Sequence, residues 1–458
     1  MSGTAQEAPR SAYFLDGYTF RHELNPAFGG EYNYVSMPVL GNLNIGLMSN
    51  IGVNTFLYKM PDGQLTTFMN SSVSADEFLG KLGKHNKVTF NTDVTILSAG
   101  FKAFGGFNTI DIGVHADAGV SLPKGLFEFM KLGQTGPDTQ YNFKDLTVKA
   151  NAYAEVALGH SRKINDRLQV GAKIKLLFGV ANIHGKIDDM QVTLSENLWA
   201  ITADGHLNMA AGKGLYLPTK QQAGKEYDNP EQATEVEWGD IDYDSFGMSG
   251  FGLGFDFGAT YKLLPDLILS AAIRDLGFIS WRHNIKAATP GKQWTFDGFE
   301  NIALDSDQPD YDDNKIDKQF DDMWDDIEDM INFHKTEENT SRTTALAATL
   351  HIGAEYTMPF YRNLTGGFLF TQHFNGPLSW TEGRFSANVK PVKWFDLSVN
   401  YGASSYGSSF GWLINFHPRG FNFYLGSDHQ FFKVTPQFLP VGNANATFNL
   451  GINFTFGS

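Results

Sequence analysis

The chain contains no cysteine. That excludes disulfide frameworks and thiolate-ligated zinc or iron–sulfur centres, and it suits a chain that crosses an oxidising compartment unfolded. It also lacks any run of 18 apolar residues, although 42% of its residues are hydrophobic, so no segment can span a membrane as a helix. Positive charge is scarce: 35 Lys and Arg against 50 Asp and Glu leave a net charge of −15, which argues against nucleic acid as a partner. Enzyme signatures are thin. Gly407-Ser408-Ser409-Phe410-Gly411 fits a nucleophile-elbow pattern but leads into a strand rather than a helix. The glycines of Gly250-Phe251-Gly252-Leu253-Gly254 have no following helix that could hold a phosphate. No enzymatic activity is expected.

What is abundant is glycine (48 residues), aromatics (14%) and alternation of period two. The last strand puts Phe448, Leu450, Ile452, Phe454 and Phe456 on one face and small or polar groups on the other, an arrangement that suits lipid on one side and water on the other. Alone it would also fit the edge of a soluble sandwich, but the pattern repeats. It returns over 43–58, 87–103, 107–122, 143–160, 167–182, 250–264, 267–282, 342–358, 364–375, 383–391, 395–405, 409–417, 419–427 and 444–456, which makes fourteen strands. The connections between them fall into alternating short turns and mostly long loops, the rule for outer-membrane barrels. The expected fold is therefore all-β: a 14-stranded antiparallel transmembrane β-barrel with an N-terminal plug and large extracellular loops containing short helices. Aromatics near strand ends (Tyr261, Trp281, Phe360, Tyr361, Trp380, Trp394, Phe395, Phe431, Phe432) are expected to form the interfacial belts.

Residues 1–5 are expected to be the remnant of a signal peptide, because Gly3-Thr4-Ala5 offers small residues for cleavage ahead of Gln6. Residues 6–42 carry no sustained alternation and form the candidate hatch, 43–456 the barrel, and 457–458 a possible tag remnant. Within the barrel, 183–249 is expected to hold an extracellular hairpin and 283–341 an acidic helical loop. Asp305 to Glu338 contains 14 carboxylates and 3 Lys, a net of −11 that accounts for most of the chain's excess. Inside it Ile316, Phe320, Met323, Ile327 and Met330 recur at spacings of three and four, the stripe of an amphipathic helix. That stripe either packs on the rim or serves as a gate or docking face. Asp310, Asp312 and Asn314 begin like a calcium loop, but Lys315 stands where glycine is needed and Asp321 where glutamate is needed. Divalent ions loosely screening the carboxylates, and bound lipid, are the only cofactor-like ligands this pattern suggests.

Alternation directs Asp111, His115, Asp117, Lys149, Glu155, Lys173, Lys175, Asp256, Arg274, His351, Glu355, Arg384 and Lys390 into the lumen. Because both signs are mixed, interior ion-pair networks are expected rather than a selective charged ring. The strand pattern and the triplet Asn25, Pro26, Ala27 ahead of the first strand resemble the long-chain fatty-acid transporter (FadL-like) superfamily, in an uncharacterised branch. The resemblance implies an outer-membrane barrel of a Gram-negative bacterium, both termini periplasmic. It implies passive uptake of hydrophobic small molecules, captured on outer-loop apolar surface and passed to a pocket between hatch and wall. The site residues it suggests are Asn25, Pro26, Ala27 and Phe28 in the hatch, Met48 and Phe56 facing inward, and Phe127, Phe129 and Met130 outside. The alternative is a PorV-like docking subunit of an outer-membrane or surface protein complex, with the acidic loops as the contact.

Overall fold

In the computed structural model, described for residues 2–3, 8–61, 63–227, 229–243, 247–297, 315–429 and 445–457, the chain folds into one closed antiparallel barrel. Its fourteen wall strands are β1 (Leu43–Ser49), β2 (His85–Ala103), β3 (Gly106–Pro123), β4 (Leu146–Lys163), β5 (Leu168–Ser195), β6 (Gly250–Leu264) and β7 (Leu267–Ala288), followed by β8 (His334–Leu346 with Thr349–Thr357), β9 (Leu364–His373), β10 (Trp380–Val392), β11 (Phe395–Ser404), β12 (Gly407–Phe416), β13 (Asn422–Ser427) and β14 (Ala446–Phe456). Closure is made by β14 against β1, Ala446 to Leu450 pairing with Leu47 to Leu43. The wall also begins earlier than expected: Asn33–Ser36 pairs with both β14 and β2, extending the seam below β1.

Every second wall residue faces lipid. Phe90, Ile110, Leu158, Ile174, Phe255, Phe257, Phe385 and Phe454 are exposed large apolar side chains, whereas the adjacent Asp111, Lys173, Lys175, Asp256, Arg384 and Asn453 are buried and polar. One end carries tight turns. At Phe104-Gly105, φ of 56° and 72° gives both residues a left-handed backbone, the kind of turn that matches strand twist in a hairpin. The other end carries the long loops, although β9–β10 and β11–β12 are joined briefly there too.

The barrel is lopsided. β5 has 28 residues, whereas 9–11 residues suffice to cross a bilayer. β9 to β13, by contrast, have 13 residues or fewer. On the tall side the strand Trp199–Ala210 pairs with the upper half of β5 and then with β7 and Gln293–Phe296, taking over the place that β6 vacates above Gly250. This is the expected outer hairpin, and it does not add a membrane pass.

Three expectations are corrected. The first strand does not run from 43 to 58: it ends at Ser49, and Val53–Phe56 is a helical turn, so Ile51 is buried in a loop cluster instead of facing lipid. Trp281 is not in an aromatic belt. Asp275, at φ 59°, inserts a bulge opposite Phe255 and Phe257, so the inward parity of β7 changes from even to odd and Trp281 turns into the barrel. There its indole Nε1 donates to Thr344 Oγ1 at 2.8 Å. Trp380 is inside as well, since it shares parity with the buried Glu382 and Arg384. The expectations placed on residues 1–5, Asp310, Asp312, Asn314, Phe431, Phe432 and Ser458 lie wholly or largely outside the described residues.

An arginine in the middle of the lipid-facing band costs about 2–4 kcal/mol in a membrane barrel. Ile110→Arg should therefore lower the urea midpoint of the barrel refolded in vesicles. Leu65→Arg, 70% exposed in the loop after β1, should leave that midpoint unchanged.

Candidate functional site

The lumen is filled by the segment from Ala8 to Phe28, nearly all of it buried. Its fold is set locally. Arg21–Leu24 makes one helical turn, which ends as Asn25 N–H reaches back to the Arg21 carbonyl at 3.1 Å. Asn25 Oδ1 then accepts the Ala27 N–H at 2.9 Å, closing an Asx turn around Pro26. The Asn25 amide donates to the Ala271 carbonyl at 3.3 Å, and Gln169 Nε2 donates to the Ala27 carbonyl at 2.6 Å.

The triplet therefore sits on β5, β6 and β7 at once. It fits because two cross-strand partners, Gly171 and Gly258, have no side chains. A Cβ on Gly171 would strike the Pro26 carbonyl, and one on Gly258 would strike the Asn25 amide. Glycines elsewhere on the inner wall make similar seats: Gly353 for Tyr13, Gly367 for Phe14 and Gly100 for Tyr34.

Charge fixes the other end of the hatch. Arg10 Nε lies 3.0 Å from Glu382, its backbone N–H donates to Asp428 at 2.8 Å, and its guanidinium stacks 4.7 Å above the Trp380 ring. Glu382 is also held by Arg384 at 2.8 and 2.9 Å. In the middle, His22 Nδ1 faces Lys173 Nζ at 3.2 Å and its Nε2 meets Tyr34 Oη at 2.7 Å. Burial drives the His22 ring to its neutral form, with a pKa lowered to about 3 despite the nearby Asp111. Neutral His22 then accepts from Lys173 and donates to Tyr34. Lys173 in turn pairs with Asp111 at 2.8 Å, and Lys175 with Asp256 at 3.0 Å and Asp275 at 2.5 Å.

The inward charges expected from alternation thus come together as networks that brace the wall and grip the hatch. Glu355 and Lys390 are less deeply placed than the rest. Sequence reading missed Arg10, Glu382, Asp428 and the glycine seats. Gly171 and Gly258 share lumen parity with Lys173 and Asp256, and that parity was the available signal.

The apolar residues expected to bind ligand separate into three places. Phe56 and Phe127 join Phe68 and Phe78 in one aromatic cluster, with ring centroids 4.2–6.2 Å apart, beneath α1 (Ala75–Leu79) and α2 (Lys124–Leu132). Phe129 packs instead with Tyr141 and Phe143. Met48 lies lower, with Trp380 and Tyr406, and Met130 is 41% exposed. Phe28, on the hatch, lies beneath the Arg21 guanidinium at 4.1 Å. The acidic helix α3 (Ile316–Ile331) packs against the outer hairpin strands Trp199–Ala210 and Gln293–Phe296. Met323 and Ile327 of its expected stripe are half-buried, while the side chains of Ile316, Phe320 and Met330 lie outside the described residues.

Two cavities flank the wall beside the hatch. A void of about 10 Å³ lies between hatch residues His22, Pro26 and Phe28 and the wall at Phe107 and Ser161. It holds at most one water. Behind it, on the lipid side, a groove of about 420 Å³ is lined by Phe101, Ile110, Leu158, Ile174, Phe255 and Phe257. Both cavities back onto Thr109, Gly159, His160 and Lys173.

The profile of a family described as of unknown function, DUF5723, matches residues 26–428. Among curated proteins none matches the chain. Among solved structures the chain is similar to the Ralstonia pickettii toluene transporter TbuX (9% identity, 94% of this chain and 91% of that one, TM-score 0.40). It is also similar to the P. putida toluene transporter TodX (9%, 100% and 96%, TM-score 0.39) and to a Pseudomonas aeruginosa FadL homologue (11%, 100% of both, TM-score 0.38).

The glycine seats give a direct test of hatch docking. Gly171→Val and Gly258→Val should each dislodge the Asn25–Ala27 turn and raise the permeability of reconstituted vesicles to small polar solutes. Gly383→Val, where an added Cβ meets nothing nearer than 3.7 Å, should not.

Proposed function

Because the chain belongs to DUF5723, a family of unknown function, we propose its function from its own geometry: a hatch-gated, passive conduit for hydrophobic small molecules in the outer membrane of a Gram-negative bacterium. The long-loop end then faces outward. The observation that carries this reading is the lumen sealed by a non-covalently seated hatch, with an apolar groove directly behind the wall beside it. A groove of about 420 Å³ falls within the range of small-molecule sites, whereas the hatch–wall void beside it is closed to anything larger than water. Passage therefore needs the hatch to shift, and nothing in the arrangement demands an energy source beyond the solute gradient. The aromatic cluster at the loop end, with the exposed Met130 beside it, offers apolar surface for first capture.

The docking reading requires a free apolar helix face, yet α3 lies against the outer hairpin. It is the weaker of the two.

Vesicles containing the purified barrel should take up a pyrene-labelled long-chain acid faster than empty vesicles while excluding glucose. Absence of transfer would end the conduit reading. Deleting Asn25–Ala27 should open the barrel to glucose. Leu158→Trp, which fills the groove from a side chain already 53% exposed, should slow transfer of the labelled acid several-fold without changing the urea midpoint. Unchanged transfer would place release at the turn end instead.

A further inference from the structure

The lipid-facing groove leads into a charged corner at the turn end of the barrel. On β4 its lining passes from Leu158 to His160, whose Nδ1 meets Asn108 Oδ1 at 2.9 Å, so the groove is apolar along most of its length and polar where it nears the turns. Arg162 comes next on the same outward face, two residues and about 7 Å further along the strand. Its side chain is exposed, and its guanidinium lies over the β2–β3 turn, 4.0 Å from where a Cβ on Gly105 would stand.

Three more cations gather at the same strand ends. Lys163 stands opposite Gln169 in the β4–β5 register, and the Arg167 carbonyl accepts the Lys262 N–H at 2.8 Å, which brings the turn ends of β4, β5 and β6 together. All four side chains are exposed, and none of them forms an ion pair among the described residues. Within 162–167 and 261–266 the carboxylates are Asp166 and Asp266, and Asp266 is engaged by Arg362. In a chain of net charge −15, this corner is out of keeping with the rest.

Water and counterions satisfy exposed cations elsewhere on a protein surface. What distinguishes these four is their continuity with the groove: the hydrocarbon surface of Leu158, Ile174, Phe255 and Phe257 runs directly to fixed positive charge. Tyr261, 39% exposed, stands at the boundary, the level at which amphipathic rings meet lipid headgroups. A ligand that matches both parts carries an acyl chain and a negatively charged phosphate. Cationic side chains at a membrane surface attract anionic lipid headgroups, and guanidinium pairs with phosphate in particular. A zwitterionic head would bring an ammonium group against these same cations.

We propose that this corner of the wall binds one anionic phospholipid, its phosphate at Arg162 with Lys163, Arg167 and Lys262 around it, and one acyl chain along Leu158, Ile174 and Phe257. The site is on the outer surface of the wall. It needs only that the barrel stands in a membrane, and it holds whether or not solute passes the hatch.

The test is native mass spectrometry of the whole barrel, purified in detergent and titrated with phosphatidylglycerol or with phosphatidylethanolamine of the same acyl chains. One phosphatidylglycerol per chain is expected to be retained at concentrations that leave phosphatidylethanolamine unbound. The double substitution Arg162→Gln with Arg167→Gln should weaken that binding at least about fivefold, and Leu158→Trp, which fills the groove, should weaken it several-fold. Lys393→Gln, a cation exposed on the β10–β11 turn outside this corner, should not. Equal retention of the two lipids overturns the proposal, as does a Lys393→Gln effect as large as that of the double substitution, since each means unspecific adsorption. Complete displacement by soluble glycerol phosphate, or an unchanged affinity in Leu158→Trp, also overturns it, because the site would then hold a phosphate without a lipid.

Discussion

The structure depends on one constraint: in hydrocarbon, every backbone N–H and C=O must find its partner within the protein. A sheet can meet that condition only by closing, and here the closure is the pairing of β14 with β1 and with Asn33–Ser36. Once the sheet closes, its two faces meet different solvents, and the period of two along each strand becomes a sorting rule. Large apolar residues go out; charge, amide and glycine go in. The interior of a fourteen-stranded barrel is then too wide for wall side chains alone to fill, and the N-terminal segment supplies the missing volume.

Two kinds of contact hold that segment, and they differ in what they permit. Tyr13, Phe14, Tyr18, Phe20 and Leu24 pack with Tyr34, Phe107, Leu369, Leu413 and Tyr424 in one buried apolar cluster. It has little directional demand, so it would tolerate small movements. The polar contacts do not. Arg10 between Glu382 and Asp428, and the neutral His22 between Lys173 and Tyr34, each fix a position to within a hydrogen bond. Removing one member of a buried pair leaves a charge uncompensated, at about 3–5 kcal/mol. The glycine seats add a third condition, since the Asn25–Ala27 turn reaches β5 and β6 only where no Cβ intervenes. The hatch is thus registered by charge at one end and by shape at the other.

Much of this was legible in the sequence. Strand number, the two classes of connection, the outer hairpin and most of the inward charges follow from alternation, because a barrel strand has one solvent on each face and its sequence records both. What was not legible has a common cause. Parity counting assumes an uninterrupted strand, and single inserted residues break it: at Asp275 the inward face of β7 changes parity, and at Ile96 and Leu97 of β2 two successive residues point outward. Trp281 was misplaced for that reason. Trp380 was not hidden by a bulge; its parity matches that of Glu382 and Arg384, and an aromatic near a strand end was simply read as belt. The partners of the hatch were beyond reach, since Arg10 and Asp428 are 418 residues apart and only closure brings them together.

The unequal height of the wall links these parts. The long strands β2 to β5 and β7 rise well beyond what a bilayer requires, and on that side the wall itself, not a loop, carries the outer hairpin and the acidic helix. A helix with this density of carboxylates could not rest near the membrane without facing the low dielectric of lipid, where charge is costly. Raised on an extension of the sheet, it stays in water and still has strands to pack against. The short side, β9 to β13, meets the hatch's charged end through Glu382, Arg384 and Asp428. The tall side meets its shape-matched end through Gly171 and Gly258. A movement that releases the Asn25–Ala27 turn would therefore open the lumen beside the lipid-facing groove and leave the Arg10 anchor in place.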